Sequence, residues 1–243
     1  MPAFNEAEGI KEFLRELHND LILEFEPSFI VVNDASSDAT AEAASSLAEQ
    51  GLAIRVVTND RNSGHGVSTR RALELGLEDG APMVLAIDGD GQFKGDDVRR
   101  VAAELQARPN VEVVEGVRTS RTDPTYRKIT SAATRTLVWS RCRLHPEDAN
   151  TPLRAYRRDT LVRLLNALPI DVLTPNLFIS TMVRKWNIPT AEIRVQSIPR
   201  RGSTAAGSTW GARSINLPTK RYLKFCSQAT VQWFTTSVDR PSS

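Results

Sequence analysis

A chain of 243 residues, 40% hydrophobic and 25% charged, is long enough for one large α/β domain and has the composition of a soluble globular protein. A formal charge of +2 supplies no global field to draw nucleic acid. No apolar run reaches the roughly 18 residues of a membrane span, and no basic-then-apolar leader opens the chain. Cys142 and Cys226 stand at no metal or redox spacing, so two ordinary thiols in a reducing, cytoplasmic setting are expected.

The chain opens on Met1-Pro2-Ala3-Phe4-Asn5-Glu6. Ile10, Phe13, Leu14, Leu17 and Leu21 then recur at helical spacing, with Asn5 or Glu6 suited to the helix start. Phe29–Val32 reads as a buried strand ending in Asn33-Asp34-Ala35-Ser36-Ser37-Asp38. A helix over Thr40–Gln50 is closed by Gly51. A strand over Ile54–Val57 runs into the polar loop Thr58–Gly66, and a helix follows over Val67–Leu77. Val84-Leu85-Ala86-Ile87 reads as a central strand, breaking into Asp88-Gly89-Asp90-Gly91-Gln92. A helix over Asp96–Ala107 and a strand over Val111–Val114 complete an alternation typical of a doubly wound parallel sheet.

The second half is less regular. Helices are expected over Thr125–Arg143, Thr160–Leu168, Asn176–Lys185 and Leu217–Ser237, and a strand over Ala191–Val195. Asp148–Arg154 and Arg200–Thr209 read as loops. No repeat or linker divides the chain. The expectation is a single domain, with residues 1–115 as its regular half and 116–243 as a less regular half ending in the final helix.

Three polar loops, Asn33–Asp38, Asn59–Gly66 and Asp88–Gln92, would open on one sheet edge, where ligands of α/β sheets collect. Two carboxylates at i and i+2 can converge on a hard cation, which would hold a diphosphate; a plain Asp-Gly turn is the alternative. Asp34 could accept bonds from a base or ribose, or cap the next helix; Asp38 reads as structural. Asn62-Ser63-Gly64-His65-Gly66 permits close backbone approach but matches no Walker or dinucleotide spacing. His65 has no nucleophile at a recognisable spacing, which argues against a hydrolase triad.

Pro2-Ala3-Phe4-Asn5-Glu6, Val32 to Asp38, Asn62 to Gly66 and Asp88 to Gln92, in that order, resemble the inverting glycosyltransferases of family 2. Gly116-Val117-Arg118, Arg127, Asp148, Pro152-Leu153-Arg154 and Arg200-Arg201-Gly202-Ser203 resemble the polyprenyl-phosphate (dolichyl-phosphate) mannose or glucose synthase branch. The likeness covers about residues 1 to 210.

It implies a GT-A fold, a Rossmann-like and mostly parallel sheet with flanking helices and an irregular C-terminal part. It implies a nucleotide-sugar donor of the GDP-mannose or UDP-glucose type and Mg²⁺ or Mn²⁺ on Asp88, Asp90 and Gln92. Pro2, Phe4, Glu6, Asp34, Asp88, Gly89, Asp90 and Arg201 would hold the donor. Arg118, Arg127 and Ser131 would meet a lipid-phosphate acceptor. Asp90 and Arg127 would act in the transfer, joined by Asp148 as general base if the acceptor is a hydroxyl. Transfer to a hydroxyl and a non-catalytic nucleotide-binding module are the alternatives. The arginine-rich helix and Lys220, Arg221 and Lys224 beside Tyr222, Phe225, Trp233 and Phe234 allow peripheral contact with the cytoplasmic membrane face, a homodimer contact, or packing on the sheet.

The chain departs from the pattern in four places. The strand expected before Pro2 is cut short, so the true start is expected upstream of Met1. Ala35 and Pro152 stand where glycine is common, and Gly207-Ser208-Thr209-Trp210-Gly211 offers a second lid-like stretch.

Overall fold

The computed structural model describes residues 1–119, 125–144, 146–202 and 220–240, with side chains described outside 125–133 and 220–222. The amphipathic stripe read from the sequence becomes α1 (Ile10–Leu21), and Ile10, Phe13, Leu14, Leu17 and Leu21 are all buried. Each fully buried side chain of this size contributes about 1.5–3 kcal/mol. Neither Asn5 nor Glu6 caps the helix with its side chain; the Glu6 carbonyl instead accepts from the Gly9 and Ile10 N–H groups, both at 3.0 Å.

The strands form two groups. β1 (Pro2–Ala3), β2 (Phe29–Asn33) and β3 (Ile54–Thr58) are parallel, with Pro2 opposite Val32 and Val31 opposite Val56. The second group runs in the order β4 (Met83–Ala86), β6 (Arg154–Arg157), β5 (Val113–Thr119), β7 (Thr190–Gln196). The groups meet where the chain leaves β4: the Gly89 N–H donates to the Pro2 carbonyl at 3.0 Å. The first strand is thus short, but it holds its place between β2 and the Asp88–Gln92 loop.

The second group is buried on both faces, because alternate side chains enter different cores. Val84, Ala86, Val113 and Tyr156 join one cluster with α6 (Arg158–Ala167) and α7 (Pro175–Lys185). Leu85, Val114 and Ala155 join another with α1 and α4 (Gly95–Ala107). α3 (His65–Glu78) lies over β2 through Ala72, Leu75 and Val32. The expected helix over Thr40–Gln50 is shorter: α2 (Thr40–Ser45) gives way to a 3₁₀ turn at Ala48–Gln50, closed by Gly51 at φ +87°.

One element is missing from the sequence reading. Arg154, the last residue of the expected Asp148–Arg154 loop, and the three residues after it form β6, which runs antiparallel to both neighbours. Arg-Ala-Tyr-Arg does not look like a central strand, because two arginines should not be buried. Yet Arg154 is 0% exposed. Its Nε donates to Glu115 Oε1 at 2.9 Å, and Arg184 Nη2 donates to Glu115 Oε2 at 2.7 Å. A buried guanidinium is tolerable when its charge and donors are both answered.

α5 (Thr125–Cys142) and α8 (Lys220–Thr235) lie beside the second core. Trp233 is buried against Phe178, with ring centroids 5.1 Å apart, and the Arg141 guanidinium sits 4.6 Å over it. The final helix therefore packs on the domain, leaving Leu223, Val231 and Phe234 exposed. No helix among the described residues is long and apolar enough to cross a membrane.

Burial alone would raise the Glu115 carboxyl, but the guanidiniums of Arg154 and Arg184 outweigh it and hold the group below its ordinary value. A lowered carboxyl adds stability above the unfolded-state value and loses it as pH falls through the folded one. Glu115→Gln is therefore expected to cost about 3 kcal/mol at neutral pH by leaving two buried cations unanswered. In thermal melts that is a drop of about 6–12 °C, narrowing in acid as pH falls through the lowered value of the native carboxyl and it takes up its own proton. An unchanged melting temperature at neutral pH would contradict this account of β6.

Candidate functional site

All three polar loops converge at one sheet edge. Asp34, the first residue after β2, is buried and accepts from Asn59 Nδ2 (2.7 Å), the Ser63 N–H (2.8 Å) and the Gly64 N–H (2.9 Å). A carboxylate against the first N–H groups before α3 also suits the positive end of that helix. In this structure Asp34 ties the second polar loop to the first. Asn59 extends the tie to Ser68 Oγ at 2.9 Å and accepts from Arg71 Nη1. Beside it, Asn59, Asp60, Arg61, Ser63 and Arg71 line an open hollow of about 410 Å³.

The opening motif is knitted to the same edge. The Asn5 N–H donates to Ser36 Oγ at 2.9 Å, and Asn5 Oδ1 accepts from the Ser37 N–H at 2.9 Å. The Glu6 N–H donates to Thr40 Oγ1 at 2.8 Å. Asp38 accepts from the Thr40 and Ala7 N–H groups, at 3.1 and 3.2 Å, in the structural role expected of it. Ala35 adopts φ +54°, where a Cβ crowds the backbone, so the alanine in place of glycine stores strain of about 1–2 kcal/mol.

The Asp88–Gln92 loop is clamped from both sides. A Cβ on Gly89 would lie 2.8 Å from the Pro2 carbonyl oxygen. Gly91 sits at φ +66°, and a Cβ there would lie 2.6 Å from Arg201 Cδ. The Arg201 N–H donates to the Asp90 carbonyl at 3.1 Å, and the Ile198 N–H to the Gln92 carbonyl at 3.0 Å. Asp90 accepts the Gln92 N–H at 3.2 Å. Half-buried and facing Asp88, the Asp90 carboxyl is pushed up to about 7, by burial first and by the neighbouring charge second. His65 and Arg118 are close enough to oppose that shift. His65 Nε2 lies 3.6 Å from Asp88 Oδ1.

Arg118 leaves the end of β5 and grips Asp148 with two bonds, Nε to Oδ2 at 2.6 Å and Nη2 to Oδ1 at 2.9 Å. Its Nη2 also donates to the Asn150 carbonyl at 3.1 Å. Asp148 thus pairs with Arg118. Arg201 turns its guanidinium toward α1, to Glu12 Oε1 (3.2 Å) and Glu16 Oε2 (2.5 Å), over the Phe13 ring. Arg200 pairs with Glu6. Pro2 and Phe4 lie at this edge, Pro2 buried and Phe4 half-buried. The side chains of Arg127 and Ser131, and the whole of Ser203–Gly211, lie outside the described residues.

Asn59 was missed as a site residue. Its signal was there: like Asn33, it is an asparagine that follows an apolar strand. Among the described residues no group of three His, Cys, Asp or Glu side chains converges as a cation cage. Asp88 and Asp90 alone supply the paired carboxylates, with the Gln92 main chain beside them.

A model of the family described as glycosyl transferase family 2 matches residues 1–165. The chain belongs to that family. Among curated relatives of this family 2 chain, the undecaprenyl-phosphate 4-deoxy-4-formamido-L-arabinose transferase of Pseudomonas aeruginosa (strain LESB58) is 27% identical over 82% of this chain and 57% of the relative. The undecaprenyl-phosphate mannosyltransferase of Micrococcus luteus is 28% identical over 66% of each. The chain thus spans little more than half the length of the first of these. Among solved structures, a mannosyltransferase from Pyrobaculum calidifontis in complex with GDP-Man and Mn²⁺ superposes with a TM-score of 0.56 at 22% identity, over 83% of this chain and 56% of that one. The fold is that of GT-A glycosyltransferases, as the motifs implied.

The raised Asp90 carboxyl gives a signed test. A group whose folded value exceeds its unfolded value adds stability below the unfolded value and loses it as pH rises through the folded one. Asp90→Asn is therefore expected to leave metal-free stability unchanged near pH 4. Above about pH 7 it should raise stability by about 1–2 kcal/mol, less than three full pKa units imply because the side chain is partly solvated. Thermal melts at the two pH values measure this; a variant less stable than the native chain above pH 7 would contradict the repulsion.

Proposed function

We propose that this chain is the catalytic domain of an inverting glycosyltransferase that moves a sugar from a nucleotide diphosphate to a polyprenyl phosphate. The observation that carries the reading is the Asp88–Asp90 pair at the β4 end, with Arg118 near enough to feel its charge. The relatives' names, undecaprenyl-phosphate transferases, support the acceptor class.

The residues present fit a divalent cation. Two carboxylates are held together, and Asp90 has been driven off its ordinary value by burial first and by the charge of Asp88 second; oxygen ligands of this kind suit Mg²⁺ or Mn²⁺. Bound there, the cation would neutralise the diphosphate as it leaves. Asp88 and Asp90 would hold it, with the donor's own phosphate oxygens filling out the coordination. Pro2, Phe4 and Glu6, with the Asp34-tied loops, would shape the nucleoside side. Arg200 and Arg201 would reach a diphosphate only by exchanging their present partners, Glu6, Glu12 and Glu16.

The acceptor side favours an anion. A phosphate acceptor is already charged at neutral pH and needs no general base. Asp148 has both carboxylate oxygens turned into the Arg118 fork, which suits holding an arginine better than taking a proton from a hydroxyl. Arg118, with Arg127 and Ser131, is assigned to the acceptor phosphate. The exposed Leu223, Val231 and Phe234 of α8 are compatible with work at a membrane surface, and with a copy of the chain. A non-catalytic nucleotide-binding role finds little support, because the short β1 still pairs with β2 and the β4 exit.

The test is turnover of labelled nucleotide-sugars with undecaprenyl phosphate in detergent and Mn²⁺. Label is expected in the organic phase. Label confined to water-soluble product would favour a hydroxyl acceptor. Arg118→Ala is expected to raise the acceptor KM about tenfold, a loss of ~1.4 kcal/mol, and to leave donor binding within twofold. A defect confined to the donor would move Arg118 to the diphosphate.

A further inference from the structure

The acceptor side rests on a short loop, residues 148–151, whose side chains and main chain are fastened from two directions. Above it, Arg118 grips the Asp148 carboxylate and the Asn150 carbonyl. Below it, the Ala149 carbonyl accepts from Ser180 Oγ at 2.8 Å and from Arg154 Nη2 at 3.4 Å. Ser180 and Arg154 are themselves joined, Nη2 to Oγ at 2.7 Å, and both are 0% exposed. Arg154 also donates to Asn176 Oδ1 at 3.2 Å. Glu115, which holds Arg154, lies on β5 three residues before Arg118.

We infer that Arg154 and Ser180 are positioning residues for the acceptor site: they fix the Ala149 carbonyl, and with it the height and angle at which Asp148 presents Arg118. The argument is one of geometry. Arg118 is long, and ordering its free rotamers costs entropy. A bidentate carboxylate removes that freedom only if the carboxylate is itself fixed. Asp148 sits on a loop, so its position is only as firm as the main chain next to it. A planar fork with several donors can hold Glu115, Asn176, Ser180 and the Ala149 carbonyl at once; an ammonium cannot. Such a cluster is a costly way to fill a core, and its outermost bond ends on the one loop that bears Asp148. This inference rests on the reading of Arg118 as the acceptor-phosphate ligand.

The experiment compares Ser180→Ala, Arg154→Lys and Thr181→Ala in the full chain. Thr181 is on the same helix, equally buried, and donates to the Leu177 carbonyl within that helix, so its variant measures lost packing and a helix-internal bond without touching the loop. Two readouts are taken. One is steady-state transfer with undecaprenyl phosphate and nucleotide-sugar, each varied in turn. The other is the ¹⁵N-arginine Nε–H resonance of Arg118, assigned by its loss in Arg118→Lys. Ser180→Ala and Arg154→Lys are expected to raise the acceptor KM about five- to twentyfold, with donor KM within twofold, and to broaden the Arg118 resonance. Thr181→Ala should change neither, whatever its melting temperature. Unchanged acceptor KM and an unchanged Arg118 resonance in folded Ser180→Ala would overturn the inference, as would equal losses in Thr181→Ala. A native chain that shows no transfer at all would instead overturn the functional reading, and the resonance would still decide whether Arg154 and Ser180 fix Arg118.

Discussion

Two carboxylates are held near each other on a loop that cannot let them part. Repulsion between Asp88 and Asp90 could be relieved by a small shift of backbone, but the backbone has nowhere to go. Gly89 is pressed on β1, Gly91 on Arg201, and the carbonyls of Asp90 and Gln92 are bonded to residues 201 and 198. Burial first, and this repulsion second, push the Asp90 carboxyl up to about 7. A site of this kind is unfavourable when empty of positive charge and favourable when supplied with it, the usual trade of stability for function. The sheet, the two glycines and the strap after β7 all serve this one constraint.

The other half of the site obeys the opposite rule. There the charges are already answered: Arg118 by Asp148, and Arg154 and Arg184 by Glu115. In the proposed reading, the excess negative charge at Asp88 and Asp90 would take a cation and a diphosphate, and the satisfied arginines would take an anion beside them. Asp34 ties the polar loops together, its carboxylate accepting from Asn59, Ser63 and Gly64.

Much of this was legible in the sequence. Apolar spacing picked out the buried face of α1, from Ile10 to Leu21, since a helix packed on one face has only one periodicity available. Polar residues after apolar runs marked the three loops that converge. What stayed hidden depended on partners distant in sequence. β6 was invisible because its burial of Arg154 makes sense only with Glu115, 39 positions away. Asp148 was recognised, but its partner was not, because a carboxylate in a loop has many arginines to choose from. The direction of Arg201 toward Glu12 and Glu16 likewise belongs to the folded chain. Ala35 was noted as a departure from glycine, and the left-handed backbone there shows why glycine is common.

The central claim is that Asp88 and Asp90 hold a divalent cation that in turn holds a nucleoside diphosphate. Crystals grown with Mn²⁺ and GDP or UDP test it directly, by anomalous scattering at the manganese edge. The account expects one strong peak at oxygen-ligand distance, about 2 Å, from the Asp90 carboxylate, with diphosphate density against it. A nucleotide bound with its diphosphate away from Asp88 and Asp90, or manganese bound elsewhere with this pair left bare, would contradict it.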